Sequence, residues 1–314
     1  MKKPNTLQQA IKYFADEDVC IRVVAEMRWP YGVECPACGH KEHYHLKKQR
    51  RWKCKDCHRQ FSVKLGTIFE DSPIPLDKWL VALWMLVNCR NGVSSYEVHR
   101  AIGVTQKSAW FVLHRLRLAM QNKSIGKLSG EVEADETYIG GRARNMHYEK
   151  RKRMTSSPLR KAAVMGVLER GGKVRAKVIP TTSQIVVRET LKENVEQGAE
   201  LFTDAHPAYF DLNTDYIHKV IDHAKKYVDG KVHTNGIENF WSLLKRGLKG
   251  TYVAVEPFHL FRYLDEQMFR YNNRKDEDDK PLKDGDRFFA ALSQIAGKRL
   301  TFAEVTGKVG GACC

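Results

Sequence analysis

Two Cys-x2-Cys pairs, Cys35-Pro36-Ala37-Cys38 and Cys54-Lys55-Asp56-Cys57, constrain this 314-residue chain more than any other feature. Fifteen residues separate Cys38 from Cys54, a spacing at which two short knuckles close on one tetrahedral ion. Each knuckle brings two sulfurs to about 2.3 Å from the metal, and Gly39 permits the tight turn after the second sulfur. The pattern predicts a zinc ribbon over residues 35–64, with a structural Zn2+ because four thiolates leave no open coordination position. His40, His43, His45 and His58 lie nearby, but four well-spaced cysteines leave them no vacancy, so they read as polar or phosphate-facing residues. Trp52 and Phe61 among the lysines and arginines predict a small β-ribbon with a basic face, on which Arg50 and Arg51 are candidate DNA contacts.

The charge is patterned. The net charge is +16 with a pI near 9.4. Residues 35–64 carry nine Lys or Arg against Glu42 and Asp56, and residues 142–161 carry eight against Glu149. Clustered cations gain free energy by displacing counterions from phosphates, so the expected partner is a polyanion. The segment Arg142 to Arg160 lacks apolar periodicity and reads as a loop suited to clamp a DNA backbone. Met1-Lys2-Lys3-Pro4 runs into a polar stretch rather than a secretory core, and Trp79 to Val87 is too short to span a bilayer. A cytoplasmic, nucleoid-associated chain with no membrane partner is expected, in a reducing compartment where paired cysteines bind metal rather than form disulfides. Cys20 and Cys89 read as buried thiols, and Cys313-Cys314 has no context that supports lipidation or metal binding.

Between residues 75 and 120 the apolar spacing is helical. Trp79, Leu80, Leu83, Trp84 and Val87 recur at three- and four-residue steps after Pro75. Ser94 with Glu97 forms a capping-box pattern, the helix it starts turns at Gly103, and Thr105 opens a third helix through Ala109, Val112, Leu113, Leu116 and Met120. Helix, glycine turn and capped second helix predict a helix-turn-helix, with Gln106, Lys107 and Ser108 facing bases or phosphates.

After a linker at residues 121–130 the pattern changes to strands. Glu131 to Gly141, Lys161 to Glu169, Val174 to Ile179, Ala199 to Thr203 and Tyr216 to Ile221 read as strands, with Gly171-Gly172 as a hairpin turn and Ser183 to Val195 as a helix. That order predicts a ribonuclease H-like mixed sheet. Asp135 sits inside the first strand and Asp204 at the end of the fourth, so the sheet brings two carboxylates together. Two adjacent carboxylates repel, and a shared divalent cation relieves them. Glu133 shares the strand face of Asp135 and is a further candidate, whereas Glu136 points away. Glu238 lies on a helix marked by Ile237, Phe240, Trp241 and Leu244, and Lys245, seven residues on, shares its face. All-oxygen ligands suit Mg2+ or Mn2+. His206 reads as a loop or phosphate contact, and Trp241 as core. Pro257 to Arg274 and Arg287 to Ala296 read as further helices.

These blocks together resemble the bacterial insertion-sequence transposases with an N-terminal zinc ribbon, the ISXO2-like group related to the Merlin elements. The resemblance rests on the Cys-Pro-x-Cys-Gly ribbon, the Glu-Ala-Asp135-Glu-Thr-Tyr-Ile-Gly-Gly strand, Thr203-Asp204-x-His206-x-Ala208-Tyr209, and the block from His233 to Gly247. It rests also on Arg262 to Glu266 and Arg270 to Arg274, and spans roughly residues 15 to 275. It implies a DDE-type transposase that cleaves element ends and joins the freed 3′-hydroxyl to target DNA. Asp135 and Asp204 are then the two aspartates, and the third position falls to Glu238 or to Asn235, because some relatives carry asparagine there. Glu238 is favoured as the harder anionic ligand. The implied partners are terminal inverted repeats, target DNA and further copies of the chain, as a homodimer or larger synaptic multimer.

The expected architecture is α+β and multidomain: an N-terminal helical segment over 1–34, the ribbon over 35–64, the helix-turn-helix over 75–120, the catalytic domain over 130–275 and a C-terminal tail over 276–314. A sequence-specific DNA-binding protein with an idle catalytic site, and a nuclease that releases ends without joining them, are the competing functions.

Overall fold

The computed structural model describes residues 3–121, 126–140, 161–221, 232–253, 255–276 and 278–307. The chain forms two compact units, one from residues 1–121 with 273–314 and one from residues 122–272. The basic segment 142–160 and the Cys313-Cys314 pair lie outside the described residues.

In the first unit, α1 (Leu7–Tyr13) and α2 (Glu17–Arg28) are capped by Thr6 and Asp16, whose side chains accept from Gln9 N and Asp18 N at 3.2 and 2.8 Å. The ribbon follows as a three-stranded antiparallel sheet, β1 (His43–Leu46), β2 (Arg51–Cys54) and β3 (Gln60–Phe61), in that order. Along β2, Trp52 and Cys54 are buried and Arg51 is exposed, the alternation expected of a sheet with one dry face. Trp52 stacks on His45 and Phe61 and meets Trp29, the C-cap residue of α2, edge-on at 5.5 Å. Three helices come next: α3 (Leu76–Asn88), α4 (Ser95–Ile102) and α5 (Gln106–Ala119). Ser94 and Glu97 make both bonds of the predicted capping box, and Thr105 caps α5 through Ser108 N. The exposed Cys89 departs from the buried thiol that the sequence suggests: it ends α3 as its cap residue, beyond the buried stripe, whereas Cys20 is sealed and burial pushes its thiol up to about 12.

The chain returns to this unit after residue 272. In α9 (Asp284–Leu292), Phe288 packs between Trp84 of α3 and Phe14, with ring centroids 5.3 and 5.4 Å away. Arg287 donates to Asn88 Oδ1 at 2.7 Å. A short α10 (Phe302–Val305) follows, and Phe302 meets Phe111 of α5 edge-on.

The second unit is built on a five-stranded mixed sheet: β4 (Glu131–Ile139), β5 (Ala162–Glu169), β6 (Val174–Ile179), β7 (Glu200–Asp204) and β8 (Ile217–Ile221). Their order across the sheet is β6-β5-β4-β7-β8, the first three antiparallel and the last two parallel to β4. Alternate residues of β5 feed two cores. Ala163, Met165 and Val167 join Val187 and Leu191 of α6 (Gln184–Asn194) on one face. Val164 and Leu168 join α7 (Asn235–Gly247) and α8 (Leu260–Asn272) on the other. The helix read from Pro257 to Arg274 is thus a 3-10 turn, Pro257–His259, followed by α8. Among the described residues no helix is long and apolar enough to cross a membrane.

Candidate active site and metal centre

The four cysteine sulfurs lie within 4.8 Å of one another, the arrangement that one metal ion would require. The Cys35–Cys57 and Cys38–Cys54 sulfurs are each 3.6 Å apart, against about 3.8 Å for the edge of a tetrahedron with 2.3 Å zinc–sulfur bonds. Donor set and spacing both fit zinc. His45 is committed to Trp52, and His43 Nδ1 lies 2.9 Å from Lys41 O.

The acids of the second unit are placed by strand register. Glu133 pairs with Phe202 across β4 and β7. Two residues further along both strands, the same register sets Asp135 beside Asp204, with both side chains on the α7 face. Pairing of β4 with β7 ends at Glu133 and Phe202 while β4 runs on to Ile139, so Asp204 stands at the carboxyl end of β7 and Asp135 in the middle of β4 beside it. Asp204 Oδ1 accepts from His206 N at 3.1 Å. The His206 ring caps the next turn by accepting from Ala208 N, the loop-holding role the sequence suggests.

A cleft of about 580 Å³ opens beside Asp135, lined by Glu136, Thr137, Glu238, Trp241, Ser242, Lys245, Arg246 and Lys249. From Glu238 to Lys249 the lining positions fall at helical intervals, so one face of α7 and its π-helical extension, Leu248–Tyr252, carries an acid at one end and three cations at the other. Glu238 Oε1 accepts from Thr234 Oγ1 at 2.9 Å. Asn235 is the exposed first residue of α7 and is not among the residues lining this cleft.

Asp135 is pushed up to about 6, first by burial and then by the charge of Asp204, with Glu238 adding to it. The Glu136 amide and the Trp241 indole, which donates to Asp135 Oδ2 at 3.0 Å, pull the other way. Glu136 does extend from the opposite strand face, as alternation requires, yet it lines the cleft. Burial pushes its carboxyl up to about 7, Asp135 and Asp204 add to that, and the buried Tyr209 hydroxyl opposes it. Tyr209 is itself raised, by burial and then by Glu136.

Glu133 is turned inward. It is 1 % exposed, and Arg170 and the Ile237 amide occupy its oxygens, so it stands outside the cleft.

Trp241 is buried as the sequence suggests, and it also holds Asp135 in place. Gly166 makes room for it. Gly166 sits opposite Asp135 in the β4–β5 register, and a Cβ there would lie 2.6 Å from Trp241 Cζ2. The signal was a lone glycine inside an otherwise continuous apolar strand, which marks close approach. Gly166→Ala is expected to cost about 1–3 kcal/mol as overpacking, and to loosen the Trp241–Asp135 bond. Chemical denaturation checks the first effect, and the indole N–H resonance of Trp241 the second.

In the first unit the candidate DNA contacts have local partners. Arg50, held in a left-handed turn, pairs with Glu17 and with Asp18 at 2.7 Å, while Arg51 is exposed. Gln106 donates to Ser95 Oγ at 2.8 Å, Lys107 stands over the Phe302 ring, and Ser108 Oγ accepts from Thr105.

Comparison with known proteins places this geometry in a family. Residues 127–272 match the model of the ISXO2-like transposase domain, and residues 15–60 match the transposase zinc-ribbon domain. The uncharacterized protein in transposable element ISH50 of Halobacterium salinarum is 30% identical over 254 residues, covering 76% of this chain and 85% of that protein. The chain belongs to the ISXO2-like transposases. An uncharacterized transposase-like protein of Haemophilus influenzae is 28% identical over 102 residues, 32% of this transposase and 82% of the relative. A chain of a simian T-cell lymphotropic virus intasome in complex with PP2A regulatory subunit B56 gamma aligns at a TM-score of 0.31 and 12% identity, covering 65% of this transposase and 70% of that chain. A likeness that slight carries no fold argument.

Proposed function

We propose that this transposase nicks the ends of its element and joins the freed 3′-hydroxyl to target DNA by divalent-metal-dependent phosphoryl transfer, at a site formed by Asp135, Asp204 and Glu238. The observation that carries the proposal is the register of β4 and β7, which sets Asp204 beside Asp135, while Asp135 lines a cleft together with Glu238 and Lys245. The strand order β6-β5-β4-β7-β8, antiparallel then parallel, supports a ribonuclease H-like catalytic domain.

The chemistry of these carboxylates suits Mg2+ or Mn2+, although among the described residues only the four cysteines already stand close enough together to share one ion. The donors are all oxygen, and burial first, then the charges of Asp204 and Glu238, raise the proton affinity of Asp135, an imbalance that a hard cation relieves. Bound divalent ions would supply the charge that eases attack and departure of oxygens at phosphorus. The chain's own residues do the rest. Trp241 and the Glu136 amide fix the two Asp135 oxygens, and Thr234 orients Glu238. Lys245 meets a non-bridging phosphate oxygen, and Arg246 and Lys249 continue the track along which a phosphate backbone lies. Glu238 is preferred to Asn235 as the third group because it lines the cleft and is anionic. The α4–α5 pair, with Gln106, Lys107 and Ser108 at the start of α5, is proposed as a helix-turn-helix reader of the terminal repeats. Arg51 and the ribbon add backbone contacts, and synapsis of two ends calls for at least a dimer.

The test uses purified protein and a duplex bearing the terminal inverted repeats that flank its gene, with Mg2+ or Mn2+. Nicking at the repeat boundary followed by joining to a second duplex is expected. Salt-sensitive binding with no cleavage would instead identify an idle DNA-binding relative, and hydrolysed ends without joining would identify a nuclease.

A further inference from the structure

A buried carboxylate is costly unless its oxygens are engaged. Glu133, fully sealed in β4, meets that condition through groups distant in sequence. Arg170 Nε donates to Oε1 at 2.9 Å, and the backbone N–H of Ile237 donates to Oε2 at 2.9 Å across 104 residues. His233 Nδ1 lies 3.3 Å from Oε1. The Ile237 amide belongs to the first turn of α7, where backbone N–H groups have no partner within the helix and a negative charge is favoured. The N-cap residue, Thr234, makes no capping bond and gives its hydroxyl to Glu238 instead. Glu133 therefore caps α7 from the neighbouring sheet.

From these contacts we infer that Glu133 is a positioning residue, a clasp that sets the spacing between Asp135 and Glu238 before any metal binds. This rests on the functional reading above. Asp135 is two residues along β4 from Glu133 on the same face, and Glu238 follows Ile237 directly, so one carboxylate ties together the two backbones that carry them. Gly236 is part of the device: a Cβ there would lie 2.8 Å from Glu133 Oε2 and 3.0 Å from Leu168 Cδ2, so only glycine lets the helix start come this close. Arg170 secures the other side. It also donates to His233 O at 2.7 Å and to Glu131 at 3.1 Å, and its guanidinium stands 3.8 Å from the Phe202 ring centroid.

Three variants of the full-length, zinc-loaded chain test the clasp: Glu133→Ala, Glu133→Gln and Gly236→Ala. Hydrogen exchange at Ile237 before Mn2+ is added should be faster in Glu133→Ala and Gly236→Ala. Mn2+ binding, followed by electron paramagnetic resonance, should weaken about 10- to 100-fold, the scale for groups that orient metal ligands. Nicking should recover at high Mn2+, with affinity for the repeat DNA unchanged. Glu133→Gln, which keeps an oxygen for the Ile237 amide, should lie between wild type and Glu133→Ala. A merely structural role would lower the melting temperature while leaving the Mn2+ half-saturation of the folded protein at the wild-type value, and that result overturns the clasp. If Glu133→Ala does not fold, Gly236→Ala decides in the same way. A wild-type chain with no Mn2+ site that Asp135→Asn removes overturns the functional reading instead.

Discussion

Asp135→Asn is expected to reduce nicking of element ends by roughly a hundred- to a thousandfold, the scale seen when one preorganised charge-stabilising group is removed, and to make the protein more stable when no Mg2+ or Mn2+ is present. The two effects have one origin. Asp135 is buried beside Asp204 and Glu238, which raises its carboxyl from 3.8 to about 6 in the folded chain. A carboxyl whose folded value is raised binds more protons when folded, so its contribution is fully present below pH 4 and is lost as pH rises through 6. At pH 8 the wild-type chain bears the full cost of the ionised group, and the neutral amide removes it. With zinc retained and no Mg2+ or Mn2+ added, the variant should be more stable by about 2 kcal/mol at pH 8, and the difference should vanish near pH 4. Urea titrations at the two pH values measure this. Loss of activity combined with a gain in stability distinguishes a residue held in an unfavourable state for function from one that supports the fold. Asp204→Asn should abolish nicking likewise. Full nicking by either variant would remove the assignment.

Local chemistry explains which parts of this architecture were visible in the sequence. The Ser94–Glu97 capping box, the Thr105 cap, the strand carrying Asp135 and the helix face shared by Glu238 and Lys245 depend on residues within two turns or one strand of each other. What was hidden depends on pairs far apart along the chain. The Trp241 indole reaches Asp135 across 106 residues, and Glu133 reaches Ile237 across 104. Strand alternation correctly turned Glu136 to the other face, but could not show that β7 stops short there and leaves it beside the cleft. Phe288 read as part of a short terminal helix, although it completes a core with Trp84 and Phe14 from a segment more than two hundred residues earlier. Glu133 illustrates the limit best: its strand face made it a candidate ligand, and only the fold reveals that Arg170 and Ile237 already occupy it.

Removing zinc is expected to unfold the ribbon and leave the sheet of the second unit intact. Three strands of four, four and two residues bury only Trp52, Cys54 and Phe61. Structural zinc sites contribute about 10–16 kcal/mol of apparent binding free energy, more than so small a sheet supplies alone. The same ion also supports α2, because Trp29 packs edge-on against Trp52 and Phe61, and Arg28 donates to Val63 O at 2.9 Å. Cys54→Ser removes the most buried of the four sulfurs. That variant, or a strong chelator, should shift Trp29 and Trp52 fluorescence to longer wavelength and speed hydrogen exchange from α2 through residue 61. Exchange in β4, β5 and β7 should stay slow. Affinity for repeat DNA should fall, since the basic face that carries Arg51 loses its scaffold, whereas the carboxylate site of Cys54→Ser, with no chelator present, should still bind Mn2+. Slow exchange throughout the zinc-free ribbon would show that the aromatic contacts suffice, and the four-sulfur cluster would then lose its structural role.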